Sequence, residues 1–217
     1  MSYAVIRMQK IKNSGSLGRH IDRSSNGDVS VPGNASENSV KNNIHWDKNG
    51  TSYSQEEWTK FSEKNPLSSR INKEIKNRYK LDKKIRKDAV KAVEYIMTSD
   101  SIKMNEIFNN RELYTSWVKD NKTFLSKTFG EENIVSMHLH LDEQTPHMHV
   151  IVVPITNEGR LSCKSFIDGK KDLAQQQTDY AKIMKKYGME RGESGSTAKH
   201  QRVNSNINTQ NKNYGRN

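Results

Sequence analysis

Four of the seven histidines in this 217-residue chain fall between positions 138 and 149, in the run His138-Leu139-His140-Leu141-Asp142-Glu143-Gln144-Thr145-Pro146-His147-Met148-His149. On a strand, a period of two puts His138 and His140 on one face. Val135, Met137, Leu139 and Leu141 then take the opposite, core-facing side. On a second strand His147 and His149 share a face with Ile151 and Val153. Asp142 to Pro146 suits a hairpin connection. Folded back antiparallel, the strands bring His140, His147 and His149 together. Imidazoles on neighbouring strands can then meet at about 2.0–2.1 Å from a zinc-like ion. The bland alternative is a row of histidines on a solvated sheet face. Three rings converging beside an acidic turn favour a metal. Three nitrogen ligands leave coordination positions open, which suits catalysis better than structure. An imidazole set accepts Mn, Zn, Co, Ni or Fe, so the residue types do not choose the ion. Glu143 reads as a residue that orients one of the histidines.

The charge says what such a centre would act on. Lys plus Arg is 36 and Asp plus Glu is 25, a formal net charge of +11. That balance calls for an anionic partner, nucleic acid or a membrane surface. With nucleic acid the target bond is a phosphodiester, and the nucleophile is activated water or a side chain. Tyr3 lies inside the first apolar-alternating run and Tyr53 beyond a long polar segment, with no tyrosine between them. His20 follows the first run, and Arg23 follows His20. A neutral imidazole is nucleophilic, and a nearby guanidinium both lowers its pKa and binds phosphate in a bidentate way. On spacing alone His20 is better read as a loop histidine. His138, farther from the turn than His140, reads as a neighbour of the site in contact with DNA.

Several classes are excluded. The single cysteine, Cys163, rules out a disulfide framework and a Cys-based zinc cluster. No run approaches the 18 or so consecutive apolar residues of a membrane span, and the N-terminus lacks an apolar signal region. Cytoplasmic residence is the default that follows. With only 32% hydrophobic residues, part of the chain must be solvated.

The elements that must position these residues are partly legible. Tyr3 to Lys10 alternates and reads as a strand with Ala4, Ile6 and Met8 on its buried face. Asn13 to Gly18 reads as a turn-rich loop. Ser24 to Thr51 is polar, without a sustained period, and reads as a long loop that is functional or disordered. Ser54 to Lys64 and Ile71 to Lys87 read as helices. The second carries Lys83, Lys84, Arg86 and Lys87, a solvated face or a phosphate-contacting one. Ala89 to Met97 reads as a strand, with Thr98-Ser99-Asp100 opening the next helix. Ile102 to Phe129 is amphipathic, interrupted near Asn109-Asn110 and closed by Gly130. Ile134 to Leu141 and His147 to Pro154 are strands. Leu173 to Tyr187 is a late helix stopped by Gly188. From Gly192 the chain turns polar and Asn-rich, as a disordered tail would be.

At this point the residues resemble a known group, the MobV plasmid relaxases (Mob/Pre mobilisation and recombination enzymes) of the HUH endonuclease superfamily. Tyr3 to Lys10 is similar to that group's N-terminal strand, and His20-Ile21-Asp22-Arg23 fits its HxxR motif. Arg86 to Val90, with Glu94 and Thr98-Ser99-Asp100, resembles its middle block. His140 to His149 fits the HxDExxPHxH metal motif throughout. Gly159 to Ser162, Glu190-Arg191-Gly192 and Ala198-Lys199-His200 also look similar. The resemblance implies an α+β fold, a central antiparallel sheet flanked by helices, with a relaxase domain over 1–200 and a tail over 201–217. It implies that His140, His147 and His149 bind a divalent metal, Mn or Mg. It implies that His20 is a nucleophile forming a covalent link to the DNA 5′ phosphate, with Arg23 on the scissile phosphate and Glu143 in the catalytic set. The partner would be a plasmid origin of transfer, a hairpin with its adjacent single strand.

Two departures stand out. The group often carries an Asn-Tyr pair where this chain has Asn43-Ile44-His45-Trp46. A tyrosine nucleophile in that loop is therefore ruled out, and His45 or Trp46 becomes a candidate to stack on a base. Members also continue into a long helical region used for dimerisation and membrane association. A dimer would then form only through a C-terminal region absent here. Further DNA contacts are expected from Arg7, Asn43, Trp46, Lys83, Lys84, Arg86, Lys87, His138, Arg160 and Lys164. Competing readings are a rolling-circle replication initiator, a DNA-binding autorepressor that does not cut, and a hydrolase that uses water.

Overall fold

The computed structural model describes residues 1–13 and 15–193. The elements run in this order: β1 (Ser2–Ile11), α1 (Gly15–Asp22), β2 (Ser24–Ser25), β3 (Asp28–Val29), β4 (Ile44–Trp46), β5 (Ser52–Ser54), α2 (Gln55–Lys64), α3 (Leu67–Arg78), β6 (Ala92–Thr98), α4 (Ser101–Phe108), α5 (Arg111–Phe129), β7 (Ile134–His140), β8 (His147–Val152), α6 (Gly169–Met184) and β9 (Met189–Arg191). Seven strands form one sheet in the order β5-β4-β7-β8-β6-β1-β9, and β2 and β3 form a small ribbon beside it. Every sheet pairing is antiparallel except that of β9, which runs parallel to β1. This is the expected α+β fold of a sheet between helices, with one parallel edge that was not expected.

Alternation along the central strands sorts the two faces. Ala4, Ile6, Val93, Tyr95, Met97, Met137, Leu139, Met148, Val150 and Val152 pack against α4, α5 and α6, where Met104, Ile107, Trp117, Leu125, Tyr180 and Met184 are buried. Each such large apolar side chain stabilises the fold by about 1.5–3 kcal/mol when fully buried. The opposite face carries a smaller cluster, in which Ile21 of α1 and Leu67, Ile71 and Ile75 of α3 cover Ile11, Ala92, Val135, Ile151 and Val153. Val135 therefore lies on the histidine side and not with Met137 and Leu139. A bulge shifts the β7–β8 register between Ile134 and Ser136, so one extra residue resets the alternation.

Three helices begin where the sequence marks them. Ser54 and Glu57 form a capping box at α2, Asp100 caps α4 and Asn110 caps α5. The late helix ends at a left-handed Gly188, as its residue type requires.

Three expectations need correction. Asn13–Gly18 is not a loop throughout, because α1 already runs from Gly15. Burial of Ile21 against α3 outweighs weak local propensity. A Cβ at Gly18 would stand 3.3 Å from the Leu67 Cβ, so the two helices touch there. The basic helix stops at Arg78 and does not reach Lys87. Beyond it, lysines three and four apart would repel on one helical face, and the Lys80 N–H is taken by the Gly159 carbonyl. The long polar segment is not one loop either, because β4 joins the sheet by pairing with β7. The tail from Gly192, including the segment 201–217 and Ala198-Lys199-His200, lies almost wholly outside the described residues. Among the described residues no helix is long and apolar enough to cross a membrane.

Candidate active site

The β7–β8 hairpin carries the three rings to one point. His140 pairs with His147, and His149 sits two cross-strand pairs further along, opposite His138. The ring centroids of His140, His147 and His149 lie 5.2, 4.7 and 4.8 Å apart in their three pairings. A neutral imidazole has one N–H and one lone pair, and an outside partner fixes which nitrogen keeps the proton. His140 Nε2 donates to the Ile21 carbonyl at 2.9 Å. His147 Nδ1 donates to the Thr145 carbonyl at 2.9 Å. His149 Nδ1 lies 2.6 Å from Glu94 Oε1, and the carboxylate form of Glu94 accepts a hydrogen bond from its N–H. One nitrogen of each ring thus keeps a lone pair outside these bonds. His140 Nδ1 and His149 Nε2 are buried with no hydrogen-bond partner.

Orphaned buried nitrogens whose tautomers are set from behind are what a cation site requires, so the residues fit a divalent metal. Ligand atoms of His140, His147 and Glu143 lie within 4.8 Å of one another, as do those of His20, His140 and His149. Burial holds the pKa values of His140 and His149 well below the ordinary histidine value, with neighbouring His149 and His147 respectively adding to the effect. Both rings stay neutral and able to ligate. Burial also pushes Glu94 up to about 7, against the opposing charges of His20 and His147.

His20 occupies the last turn of α1, directly over this cluster. Its ring centroid is 5.4 Å from His149 and 6.0 Å from His140. Burial, then the Arg23 charge, lowers its pKa from the ordinary 6.5. Arg23 follows the helix in a left-handed conformation, φ 48. Its Nη1 donates to His20 Nδ1 at 3.1 Å and to the His20 carbonyl at 2.7 Å. Its Nε and Nη2 bind Asp142 at 2.8 and 3.1 Å, and Nη2 also binds Glu143 at 2.5 Å. Burial alone would raise the Asp142 carboxyl, but the Arg23 hydrogen bonds and charge outweigh it and hold it below its ordinary value. All five guanidinium donors are therefore engaged by protein groups. Arg23 was expected on the scissile phosphate; in this structure its guanidinium is taken up in tying α1, which carries His20, to the β7–β8 hairpin. Glu143 joins the same tie, accepting also from Asn34 Nδ2 at 2.7 Å, with His147 Nε2 3.8 Å away.

The expected DNA contacts divide. Arg7 is exposed, on the sheet face that carries the histidines, and pairs across the strands with Ile96. Lys83, Lys84, Arg86 and Lys87 are exposed on the irregular segment after α3. Arg160 is exposed in a loop whose Gly159 carbonyl accepts from Lys80. The basic segment and Arg160 gather towards the Ile11–Ala92 end of the sheet, away from the hairpin, whereas Arg7 lies level with His149, both residues pairing with Ile96. Lys164 is exposed beside Asp168. Trp46 is half-buried on the other face, paired with Met137. There it lines a cavity of about 350 Å³ with Tyr114, Val118 and Lys119.

His138 and Asn43 are corrections. Both are buried with their polar atoms engaged, His138 by His45 and Ser136, Asn43 by Gln55 and the Leu141 N–H. His45 cannot stack on a base, because its ring is buried and stacked on Trp58 at 5.2 Å. Sequence reasoning missed Glu94 and Asp142 as site residues. Glu94 did carry a signal, a carboxylate in the otherwise apolar run Ala92-Val93-Glu94-Tyr95-Ile96-Met97.

Comparison with known proteins places this arrangement. The Mob_Pre family model, described as a plasmid recombination enzyme, matches residues 1–206. A plasmid recombination enzyme type 3 from Staphylococcus aureus is 32% identical over 212 residues, covering 94% of this chain and 47% of its own length. A plasmid recombination enzyme from Streptococcus agalactiae is 34% identical over 211 residues, covering 94% and 38%. The chain thus spans about half the length, or less, of the curated relatives it matches. A Mn-bound crystal structure of the MobM relaxase domain on plasmid pMV158 oriT DNA aligns with TM-score 0.72 and 30% identity, covering 93% of this chain and 96% of that one. Family model, curated relatives and solved structures agree over nearly the same residues, and the chain belongs to the Mob_Pre family of plasmid recombination enzymes.

Proposed function

We propose that this chain is a plasmid mobilisation relaxase domain that nicks one DNA strand by transesterification through His20. The observation that carries the reading is the packing of the His140, His147 and His149 rings, each held from outside by a protein group, beside the His20 imidazole. Those three histidines would hold Mn or Mg, and the related relaxase domain is Mn-bound in its crystal structures. A bound cation supplies charge neutralisation at the non-bridging phosphate oxygens.

The chain's own residues do the rest. A neutral imidazole has one lone pair, and in His20 it faces Arg23. That bond holds the tautomer and orientation of the ring until the phosphodiester takes the place of the guanidinium and the ring attacks. A P–N bond then forms as the bond to the 3′ oxygen breaks. The phosphorylated ring loses its extra proton, and the leaving 3′ oxygen gains one. The products are a 5′-phosphohistidine adduct and a free 3′-OH. Little bond energy is lost, so the strand can be rejoined. The substrate is an origin hairpin with its adjacent single strand, encountered in the cytoplasm, and the exposed lysines and arginines carry its phosphates.

A denaturing gel with a labelled oligonucleotide of the plasmid's own origin strand tests this. A slow-migrating adduct should appear with Mn, vanish with EDTA and in His20→Ala, and survive Tyr53→Phe. Cleavage without adduct would point to a water nucleophile, and binding without cleavage to a repressor.

A further inference from the structure

We propose that Gln55 is a positioning residue for the His20 nucleophile. This rests on the relaxase reading above and extends it to a residue in contact with neither phosphate nor metal. Gln55 opens α2 and is buried. Its Nε2 donates to the carbonyls of Asp22 at 3.0 Å and Arg23 at 3.4 Å. These carbonyls end α1, where a helix leaves its own acceptors unsatisfied. Its Oε1 accepts from His45 Nε2 at 3.0 Å and from Asn43 Nδ2 at 3.3 Å. Asn43 Oδ1 in turn accepts from the Leu141 N–H at 2.7 Å, next to His140. One amide therefore spans the helix that bears the nucleophile and the hairpin that bears the metal ligands.

The direction of the surrounding bonds is forced. Backbone carbonyls only accept, so the Gln55 nitrogen faces them and its oxygen faces His45. His45 must then donate from Nε2, which leaves its lone pair on Nδ1. His138 Nδ1, 2.9 Å away, must donate to that lone pair. His138 Nε2 accepts from the Ser136 hydroxyl at 2.8 Å, and Ser136 Oγ accepts from Arg70 Nη1 at 2.9 Å. Arg70 Nη2 holds the Asp22 carboxylate at 2.5 and 2.6 Å, which also accepts from Trp58 at 2.9 Å. The chain of bonds starts on the Asp22 side chain and returns to the Asp22 carbonyl. A second proton on His45 would set N–H against N–H. The ring closes in one sense only, and it passes through Asp22, one of the two residues between His20 and Arg23. Without the Gln55 amide, the end of α1 can shift, and the hold of Arg23 on His20 Nδ1 loosens.

The test uses the full chain loaded with diamagnetic Mg and labelled with 15N-histidine. Two-bond 1H–15N spectra should place the proton on Nε2 of His45, Nδ1 of His138 and Nε2 of His20. In Gln55→Met, His20 should become a mixture of tautomers. Its single-turnover nicking constant on the origin oligonucleotide should fall at least about tenfold while KM stays within about twofold. Should that variant not fold, Gln55→Glu keeps the shape and the acceptor but removes both donors, with the same expectation. A wild-type His45 protonated on Nδ1, or a folded variant with an unmoved His20 and a normal nicking constant, overturns the proposal. The tautomers are read without DNA. Failure of the relaxase reading therefore shows separately, as a wild-type chain that forms no adduct.

Discussion

The two faces of the sheet solve opposite problems with the same strands. Under α4, α5 and α6 the inward residues are apolar and large, and Trp117, Leu125, Tyr95 and Met97 are fully buried. On the other face the strands bury Glu94, Ser136, His138, His140 and His149. Burial of polar groups is costly unless each finds a partner. Here nearly every one has a partner of fixed direction, and two nitrogens are left without one inside the metal cluster. The apolar face is where the fold draws stability. The polar face gives up some of that stability to hold chemistry in place.

The sharpest way to break this contrast is a pair of substitutions. Trp117→Ala should destabilise the domain by about 3–5 kcal/mol, measured by urea midpoint, because a fully buried indole leaves a cavity. The molecules that remain folded should nick at the normal rate. His20→Ala should lower the nicking rate by about 10³-fold or more with the urea midpoint little changed. If His20→Ala cost as much stability as Trp117→Ala, the division between the faces would be wrong.

Acid sharpens the contrast next. Burial holds the His45 pKa down to about 3, opposed by its Gln55 hydrogen bond. His138, His140 and His149 are also held well below the ordinary value. Their pKa values are depressed in the fold, so the unfolded chain binds more protons in acid. The stability they contribute is intact above about pH 6.5 and lost as the pH falls towards 3. Each ring costs up to about 1.4 kcal/mol per pH unit within that window. Metal-free protein melted from pH 7 down to 4 should show this slope, and His45→Phe should flatten it. A slope unaltered in that variant would mean the acid response comes from elsewhere.

Glu94→Gln is a smaller perturbation of the polar face. It keeps the shape and an acceptor oxygen but removes the charge behind His149. Mn affinity by calorimetry should fall about 10–100-fold, with the fold unchanged. An unchanged affinity would make Glu94 a bystander.

How much of this was legible follows the same division. Period-two alternation named Ala4, Ile6, Met137 and Leu139 because an apolar face announces itself residue by residue. The histidine hairpin was legible because four rings fall within twelve positions on two strands joined by an acidic turn, and three of them cluster. What escaped was tertiary. β4 is three residues long, with a buried histidine at its centre, so it has no period to read. The bulge at Ile134–Ser136 moved Val135 across the sheet, and no residue type marks it. Asn43, His45 and His138 looked like surface contacts, because a polar side chain shows its chemistry in sequence but its partners only in the fold.

The smallest expected effect concerns the charges left outside both faces. Lys83, Lys84, Arg86 and Lys87 are exposed, and Arg86 has only a loose contact, 3.6 Å, with Asp88. They add nothing to either core, so their removal should leave folding and metal affinity alone. Their use is long-range attraction for phosphate, and that is measured by counterion release. Removing one phosphate-binding charge should reduce the slope of log affinity against log salt by about 0.9 on duplex or 0.7 on single strand. Lys83→Gln, Lys84→Gln, Arg86→Gln and Lys87→Gln, taken one at a time, should each do this on any DNA sequence. The nicking constant at saturating DNA should stay normal, because none of them is near His20. The strand type is informative in its own right. A slope change near the duplex value would put the origin hairpin at this end of the sheet, with the single strand led towards the histidines. A change near the single-strand value would reverse that order, and no change would mean that DNA is held by other exposed cations such as Arg7.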